Sequence, residues 1–544
     1  MHEISGQWVD LLQRRIVPAK LTLAESRILK IEELVQAPEV YLIPGLIDAH
    51  IHLESSMLVP AEFARMAMLH GTVGSVSDPH EIANVLGLAG VEFMLQNSHT
   101  LPFHFCFGAP SCVPATVFET AGARLGLEET RQLLENPEIH YLSEMMNIPG
   151  VLQNDPEVMG KIALAQSLGK PIDGHAPGLR GADLETYLKA GISTDHEAFS
   201  LEEAREKARK GMKILIREGS AARNFEALIP LLAETPELCM FCSDDRHPDD
   251  LLKGHINQMV AKALAAGYDL FDTLRAASLN PIQHYGLKAG LLQVGDSADF
   301  IEVSDLQRFK IQATWIQGQK CVENGKSLLN WQPSERPNRF VARPVQPSDF
   351  KVPEQQGQIH VIHALDGELI TEDCLRTPTL AFHETVADPS RDLLKIAVLN
   401  RYQPHAPVVD FIENFGLKQG AIASSVAHDS HNLIAVGCSN QDLSRAMNRV
   451  IEMKGGICAV YAGKERVLPL PIAGLMSDRP GPEVAEAYAA LNRMIREEMG
   501  SPLRAPLMTL SFMALLVIPA LKISDQGLFD GVHFRFAHLY AEAK

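Results

Sequence analysis

The sequence has no paired cysteine framework. Its eight cysteines, Cys106, Cys112, Cys239, Cys242, Cys321, Cys374, Cys438 and Cys458, are scattered. This excludes a disulfide-stapled secreted scaffold and suits a reducing cytoplasm. Cys239 and Cys242 share C-x-x-C spacing. No second Cys or His pair follows at zinc-finger spacing, and the apolar run from Leu238 to Cys242 reads as a buried strand. Basic charge is also in short supply. Lys and Arg number 49 against 67 Asp and Glu, a formal net charge of -18. Such a surface repels phosphate backbones and anionic lipid, so neither nucleic acid nor a membrane is an expected partner. Long apolar runs are missing too. The longest, Leu510 to Leu521, is too short to span a bilayer and contains Pro519, so it reads as a buried segment. The opening from Met1 to Asp10 is polar and short, so no secretory signal is expected and the expected location is the cytoplasm. There is no convincing internal repeat and no low-complexity tract. Tryptophan is scarce at three residues, whereas histidine numbers 21, a balance that favours metal chemistry.

The 544 residues are too many for one core. Domains of roughly 100–250 residues imply two or three. With 46% hydrophobic and 21% charged residues, the chain has the balance of a soluble globular enzyme. Short strands are expected at Trp8 to Leu11, Ala19 to Leu23 and Ile28 to Ile31. The segment beginning at Tyr41 then runs straight into His50. From there strands alternate with helical patterns. Further strands are expected at Thr72 to Ser77, Phe103 to Phe107, Ile139 to Leu142, Pro171 to Gly174, Ile192 to Thr194, Met212 to Ile216 and Leu238 to Cys242. Helices are expected at Glu81 to Asn97, Val158 to Leu168 and Leu251 to Ala266. This alternation predicts an α/β fold with a (β/α)8 barrel across 43–289. Residues 1–42 and 290–335 are expected to combine as a small β-sandwich on the flanks of the barrel. The polar, Pro-rich stretch from Gln332 to Gln355 reads as a linker. Residues 356–544 read as a C-terminal α+β domain, with a strand at Leu394 to Leu399.

The chemistry begins at His50 and His52. Alternate residues on a strand point the same way, so both imidazoles face one side. On a first barrel strand that side opens on the mouth, where catalytic groups collect. Other candidate ligands sit at the ends of later strands: Glu144, His175, His196 and the pair Asp244–Asp245. Imidazoles and carboxylates together suit zinc, manganese or iron. Two adjacent cations need a bridging anion, a role open to Glu144, and they lower the pKa of a shared water. Asp244 is then positioned to take its proton. Asp78-Pro-His-Glu81 closes the second strand. There Glu81 either supplies a further ligand or proton donor, or acts with Asp78 as a helix cap. Arg217 ends the seventh strand, where it orients substrate or forms an ion pair at the rim. Two histidines, an acid and an amide stand together at His428, Asp429, His431 and Asn432, which invites a metal or substrate role. If that loop reaches the barrel mouth, it covers the substrate and excludes water.

These residues lie within longer strings. Pro-Gly-Leu-Ile-Asp-Ala-His-Ile-His-Leu-Glu-Ser-Ser-Met ends at Met57, and Ser-Asp-Pro-His-Glu-Ile-Ala-Asn-Val ends at Val85. Pro-Ser-Cys-Val-Pro-Ala-Thr, Asp-Gly-His-Ala-Pro-Gly-Leu and Thr-Asp-His-Glu follow. Ser-Asp-Asp-Arg-His-Pro-Asp-Asp-Leu, Ala-His-Asp-Ser-His-Asn and Pro-Leu-Pro-Ile-Ala-Gly-Leu-Met-Ser complete the set. Together, from about residue 41 to 478, they resemble the bacterial adenine deaminases of the amidohydrolase superfamily. The resemblance implies hydrolysis of adenine to hypoxanthine and ammonia at a binuclear centre of Mn2+ or Fe2+, with Zn2+ as an alternative. It implies the ligands His50, His52, Glu144, His175, His196 and Asp244, with Glu144 where many relatives carry a carboxylated lysine. Hydroxide between the metals would attack C6 of the purine while Asp244 moves the proton toward N1 or the leaving amine. The H-x-E and P-C-x-x-C signature of the zinc nucleobase deaminases is absent, so any shared reaction is convergent. The segment before His50 is shorter than in many family members, which could trim the sandwich but touches no proposed ligand. Other readings are a related amidohydrolase acting on another purine or a cyclic amide, and a non-catalytic metal-binding protein on the same barrel. A small-molecule purine is the expected partner, and a homodimer the expected assembly.

Overall fold

Gly45 marks the point where the chain leaves one sheet and enters another. A Cβ there would stand 2.4 Å from both γ-carbons of Val73, so only glycine lets the backbone pass this closely. The computed structural model describes residues 2–220 and 222–541. Within them, residues 2–79, 92–111 and 126–333 form one compact unit, and 80–91, 112–125 and 334–541 form a second.

The first unit opens with β1 (His2–Asp10), β2 (Arg15–Ala24), β3 (Arg27–Glu33) and β4 (Tyr41–Pro44). Then come β5 (Leu46–Ile51), β6 (Thr72–Ser77), β7 (His104–Ala109), β8 (Ile139–Met145), β9 (Ile172–Gly174), β10 (Thr194–Asp195), β11 (Lys213–Arg217) and β12 (Cys239–Cys242). The barrel expected from the alternation is present. β5 to β9 form a five-stranded parallel sheet and β10 to β12 a three-stranded one. The seam between β9 and β10 is held by Ser193 N–H donating to Ile172 O at 3.0 Å. The ring closes where Asp244 N–H donates to His50 O (2.9 Å) and His52 N–H to Asp244 O (3.3 Å). Ala49, Val76, Cys106, Tyr141, Met240 and Cys242 pack into one buried cluster. Cys242 is therefore core, and Cys239 beside it is buried as well, in keeping with the strand reading of this pair.

After the barrel come β13 (Phe300–Val303), β14 (Ile311–Ile316), β15 (Gln319–Glu323) and β16 (Lys326–Ser327). The two flanks, expected as a small β-sandwich, join in one eight-stranded sheet of order β16-β15-β14-β13-β4-β1-β2-β3. Trp8, Leu21, Ile28, Phe300 and Trp315 fill its shared core. The apolar run from Tyr41 is thus two strands, because β4 pairs with β13 and β5 with β6.

Two helix expectations are corrected. Glu81 to Asn97 is broken at Gly87 (φ +62°) into helices His80–Leu86 and Leu88–Ser98, since glycine takes the left-handed turn that ends the first. The helix expected from Leu251 starts at Ile256, and Leu251 closes a separate short helix, Pro248–Leu251.

The second unit is built on an eight-stranded, mostly antiparallel sheet. Its order is Thr371–Arg376, Ile359–Ala364, Val408–Glu413, Leu394–Leu399, Leu433–Gly437, Ala421–Ser424, Gly456–Tyr461, Lys464–Pro469. Helix Asn440–Met453 lies on it. Ser439 caps the helix by accepting from Asp442 N–H, and Leu443, Ala446, Met447, Val450 and Ile451 recur at helical spacing on the buried face. The Pro-rich stretch expected as a linker is packed into this core through Val345 and Phe350. The Leu510–Leu521 run is largely buried apart from exposed Pro519; it starts in helix Pro506–Phe512 and reaches strand Leu521–Ser524 through turns. Among the described residues, no helix is long and apolar enough to cross a membrane.

Candidate active site

Strand β5 presents Asp48 and His50 on one face, and the chain continues in step to His52, as the period of two requires. Asp48 is the anchor. Its carboxylate accepts from His50 N–H (3.3 Å), Ser243 N–H (2.9 Å), the Ser243 hydroxyl and His255 Nε2 (2.9 Å). The first and last barrel strands are therefore tied together one residue from Asp244.

Six candidate ligands converge at the C-terminal ends of these strands. Glu144, which is 3% exposed, sits at the centre. Its Oε1 lies 3.3 Å from His52 Nε2, and its Oε2 lies 2.9 Å from His175 Nδ1 and 3.2 Å from His196 Nε2. Asp244 Oδ1 stands 3.2 Å from His52 Nε2 and 3.6 Å from His50 Nε2. The His50 and His196 rings stack at 4.1 Å. Asp244 holds a left-handed backbone (φ +53°), which points its carboxylate at the histidines at a cost in strain.

Charge explains the arrangement. Burial alone would raise the pKa of Glu144, but hydrogen bonds from His175, His196 and His52 hold it well below the usual carboxylate range. In return, and against burial, the carboxylates raise His52 well above its ordinary value and His196 to about 9. The site calls for positive charge. Divalent ions would supply it and displace those protons.

The donor set fits such ions. Both nitrogens of His50 are buried without a hydrogen-bond partner, and each would be costly if left so. His52 Nδ1 donates to Asp78 O at 3.2 Å, so a neutral His52 turns the lone pair of Nε2 toward Glu144 and Asp244. One ligand atom each from His50, His196 and Asp244, and likewise from Glu144, His175 and His196, lies within 4.8 Å of the others. The donor chemistry of these groups fits divalent metal ions.

Several residues around it escaped the sequence reading. Glu197, 2% exposed, lies 3.7 Å from His196 Nε2 and 3.9 Å from His175 Nδ1. It follows His196 directly, and that adjacency was the available signal. Asp195 accepts from Ala176 N–H (2.9 Å) and Glu197 N–H (3.3 Å), while Lys207 Nζ donates to Asp195 (2.8 Å) and Ala176 O (2.6 Å). This knot ties together the turns that carry His175 and His196. Arg217 forms an ion pair, one of its two expected roles, but in a buried place. It is 2% exposed, not at an open rim, and it spans Asp244 Oδ2 (2.5 Å) and Glu197. Against the push of burial, Arg217 holds the Asp244 carboxyl well below its ordinary range.

The remaining candidates belong to the second unit. Glu81, His428, Asp429, His431 and Asn432 are all buried there. Glu81 is in the first turn of its helix and bonds His428 and His431. Asn432 is a brace: it donates to Thr120 O (2.9 Å) and accepts from Arg401 N–H (3.1 Å).

Residues 41–321 match the amidohydrolase family, and residues 368–535 match the adenine deaminase C-terminal domain. An adenine deaminase of Sulfurovum sp. (strain NBC37-1) is 56% identical over 98% of this chain and 99% of its own length. One of Salinibacter ruber is 54% identical over 99% of each, and one of Methanosarcina acetivorans 50% identical over the whole of both. The chain belongs to the adenine deaminase family. That membership covers both units.

Proposed function

We propose that this protein hydrolyses adenine to hypoxanthine and ammonia. The observation that carries the reading is Glu144, a buried carboxylate within 3.3 Å of three imidazoles from three strand ends, in a chain similar to adenine deaminases along its whole length. His50, His52, Glu144, His175, His196 and Asp244 would hold two divalent ions, manganese or iron, with zinc also matching the donor set. When bound, such a pair supplies Lewis acidity and lowers the pKa of water at the site toward neutrality.

The protein's own part is positioning and proton movement. Arg217 keeps Asp244 ionised, so Asp244 accepts a proton as water adds to C6 of the purine. It delivers that proton to ring N1, then takes the proton of the new C6 hydroxyl and passes it to the amine, so that C6=O forms as the C6–N bond breaks and ammonia leaves. Placing a proton on N1 as conjugation is lost lowers the barrier. Glu197 and Arg217 restrain the orientation of Asp244 from behind.

The test is an assay of ammonia and hypoxanthine formation from adenine by protein loaded with manganese, iron or zinc, with guanine, cytosine and cyclic ureides in parallel. Equimolar hypoxanthine and ammonia from adenine is the expected result. Turnover confined to another substrate, or none with two metals bound, would overturn the reading.

A further inference from the structure

Asn224 is a buried amide at the mouth end of the barrel, 5% exposed. It stands at the N-terminus of the short helix Phe225–Leu228, where an asparagine side chain ordinarily caps the helix. Here it makes no cap bond. The amide turns to two barrel strands instead. Its Oδ1 accepts from Arg217 N–H (2.7 Å), and its Nδ2 donates to His196 O (3.1 Å) and Ala198 O (3.2 Å). These partners fix the orientation of the amide, because a peptide N–H only donates and a carbonyl only accepts.

The amide spans an opening in the barrel wall. The ladder between β10 and β11 stops at the pair Asp195 and Ile214, and the chain carries His196 and Arg217 beyond it. Asn224 supplies one carbonyl and one NH2 across that opening, as the peptide units of a neighbouring strand would. Its own loop is anchored on the other side to the end of β12. Glu218 N–H donates to Cys242 O (3.1 Å), Ser220 N–H to Asp245 O (2.8 Å), and Asn224 N–H closes the turn on Arg217 O (3.1 Å). The backbones on both sides of the Glu197–Arg217 ion pair are therefore held by one side chain. That pair in turn meets Asp244, since Arg217 Nη1 donates to both Glu197 and Asp244 Oδ2. A shift of about 1 Å in this pair would turn Asp244 from its line to the substrate, and a misplacement of that size costs about 10²-fold in rate.

We propose that Asn224 is a positioning residue for the deamination proposed above, on which its role depends: it holds Glu197 and Arg217 in register and, through them, aims the Asp244 carboxylate along the proton path. Asn280 provides the contrast. It is buried too, and its Nδ2 donates to Pro236 O and Cys239 O (2.7 Å each). Cys239 begins β12, so these bonds lie at the end of the barrel away from the mouth. An amide-to-acid change at either residue removes two buried hydrogen bonds of the same kind, but only the one at Asn224 reaches the ion pair.

The test uses full-length protein loaded with manganese, with kcat and KM for adenine, manganese per chain by elemental analysis and the thermal midpoint measured for each variant. Asn224→Asp keeps the shape and the acceptor but loses both donors. It should lower kcat about 10–100-fold, leave KM within about threefold and retain the wild-type manganese content. Asn280→Asp should also lower the thermal midpoint but keep the wild-type kcat. Asn224→Ala, which adds no buried charge, should show the same fall in kcat and carries the test where the aspartate variant does not fold. Wild-type kcat in a folded Asn224 variant, a fall that only tracks lost manganese, or an equal fall in Asn280→Asp would overturn the proposal. Absence of adenine turnover by the metal-loaded wild type would instead count against the deamination itself, so the two failures are distinguishable.

Discussion

At Asp244 three constraints meet in one side chain. Its backbone is left-handed, its Oδ1 faces two imidazoles, and its Oδ2 is paired with Arg217. An amide in its place keeps the shape but cannot take a proton. Asp244→Asn should lower turnover of adenine by about 10²–10⁴-fold. Near-full turnover with normal metal content would remove Asp244 from the proton path. Arg217 is the counterpart. Arg217→Met leaves Glu197 and Asp244 buried without their cation and should destabilise the protein by about 3–5 kcal/mol in denaturant melts. Arg217→Lys should recover only part, because an ammonium cannot fork across two carboxylates. An unchanged midpoint in the methionine variant would count against the ion triad. The candidate ligands were legible because each is a His or acid at a predicted strand end. Glu197 and the true place of Arg217 were not, since a sequence shows that a charge exists but not which other charge it meets.

Strand β5 shows how far an element can be read in advance. Its period of two put His50 and His52 on one face, and the same rule would have added Asp48. The end of the element was harder. The apolar run from Tyr41 has no polar break, and only the close contact of Gly45 with Val73 divides it. Strand Val408–Glu413 carries a different kind of information. Asp410 is buried there, and desolvation raises its pKa from the ordinary 3.8 to about 7. Folding therefore binds a proton at intermediate pH. The stability this confers is complete below about pH 4 and is lost as pH rises through 7. Asp410→Asn should match the wild type near pH 4 and exceed it by about 1–4 kcal/mol at pH 8. Thermal melts across that range would decide it, and a pH-independent difference would exclude the ionisation as its source.

For the molecule as a whole, metal binding at the barrel site would be linked to stability. Ions that bind only the folded chain add about 2.7 kcal/mol per site at a hundredfold excess over Kd. Chelation should lower Tm and manganese should restore it, with less recovery in Glu144→Gln, which should also lose at least one metal by elemental analysis. Equal recovery and two metals in that variant would refute a bridging role for Glu144. By itself the sequence determined the barrel, because eight apolar strands alternating with helical patterns have few ways to bury their faces. It also pointed to the candidate ligands, because strand ends in such a barrel share one rim. Only the tertiary structure decided that both flanks form one eight-stranded sheet and that the mostly exposed Pro-rich stretch is anchored in the core through Val345 and Phe350. It alone joined Glu81 with His428 and His431, residues far apart in the chain. Local periodicity reports which face of an element is buried, whereas the partner it is buried against is set by packing between distant segments.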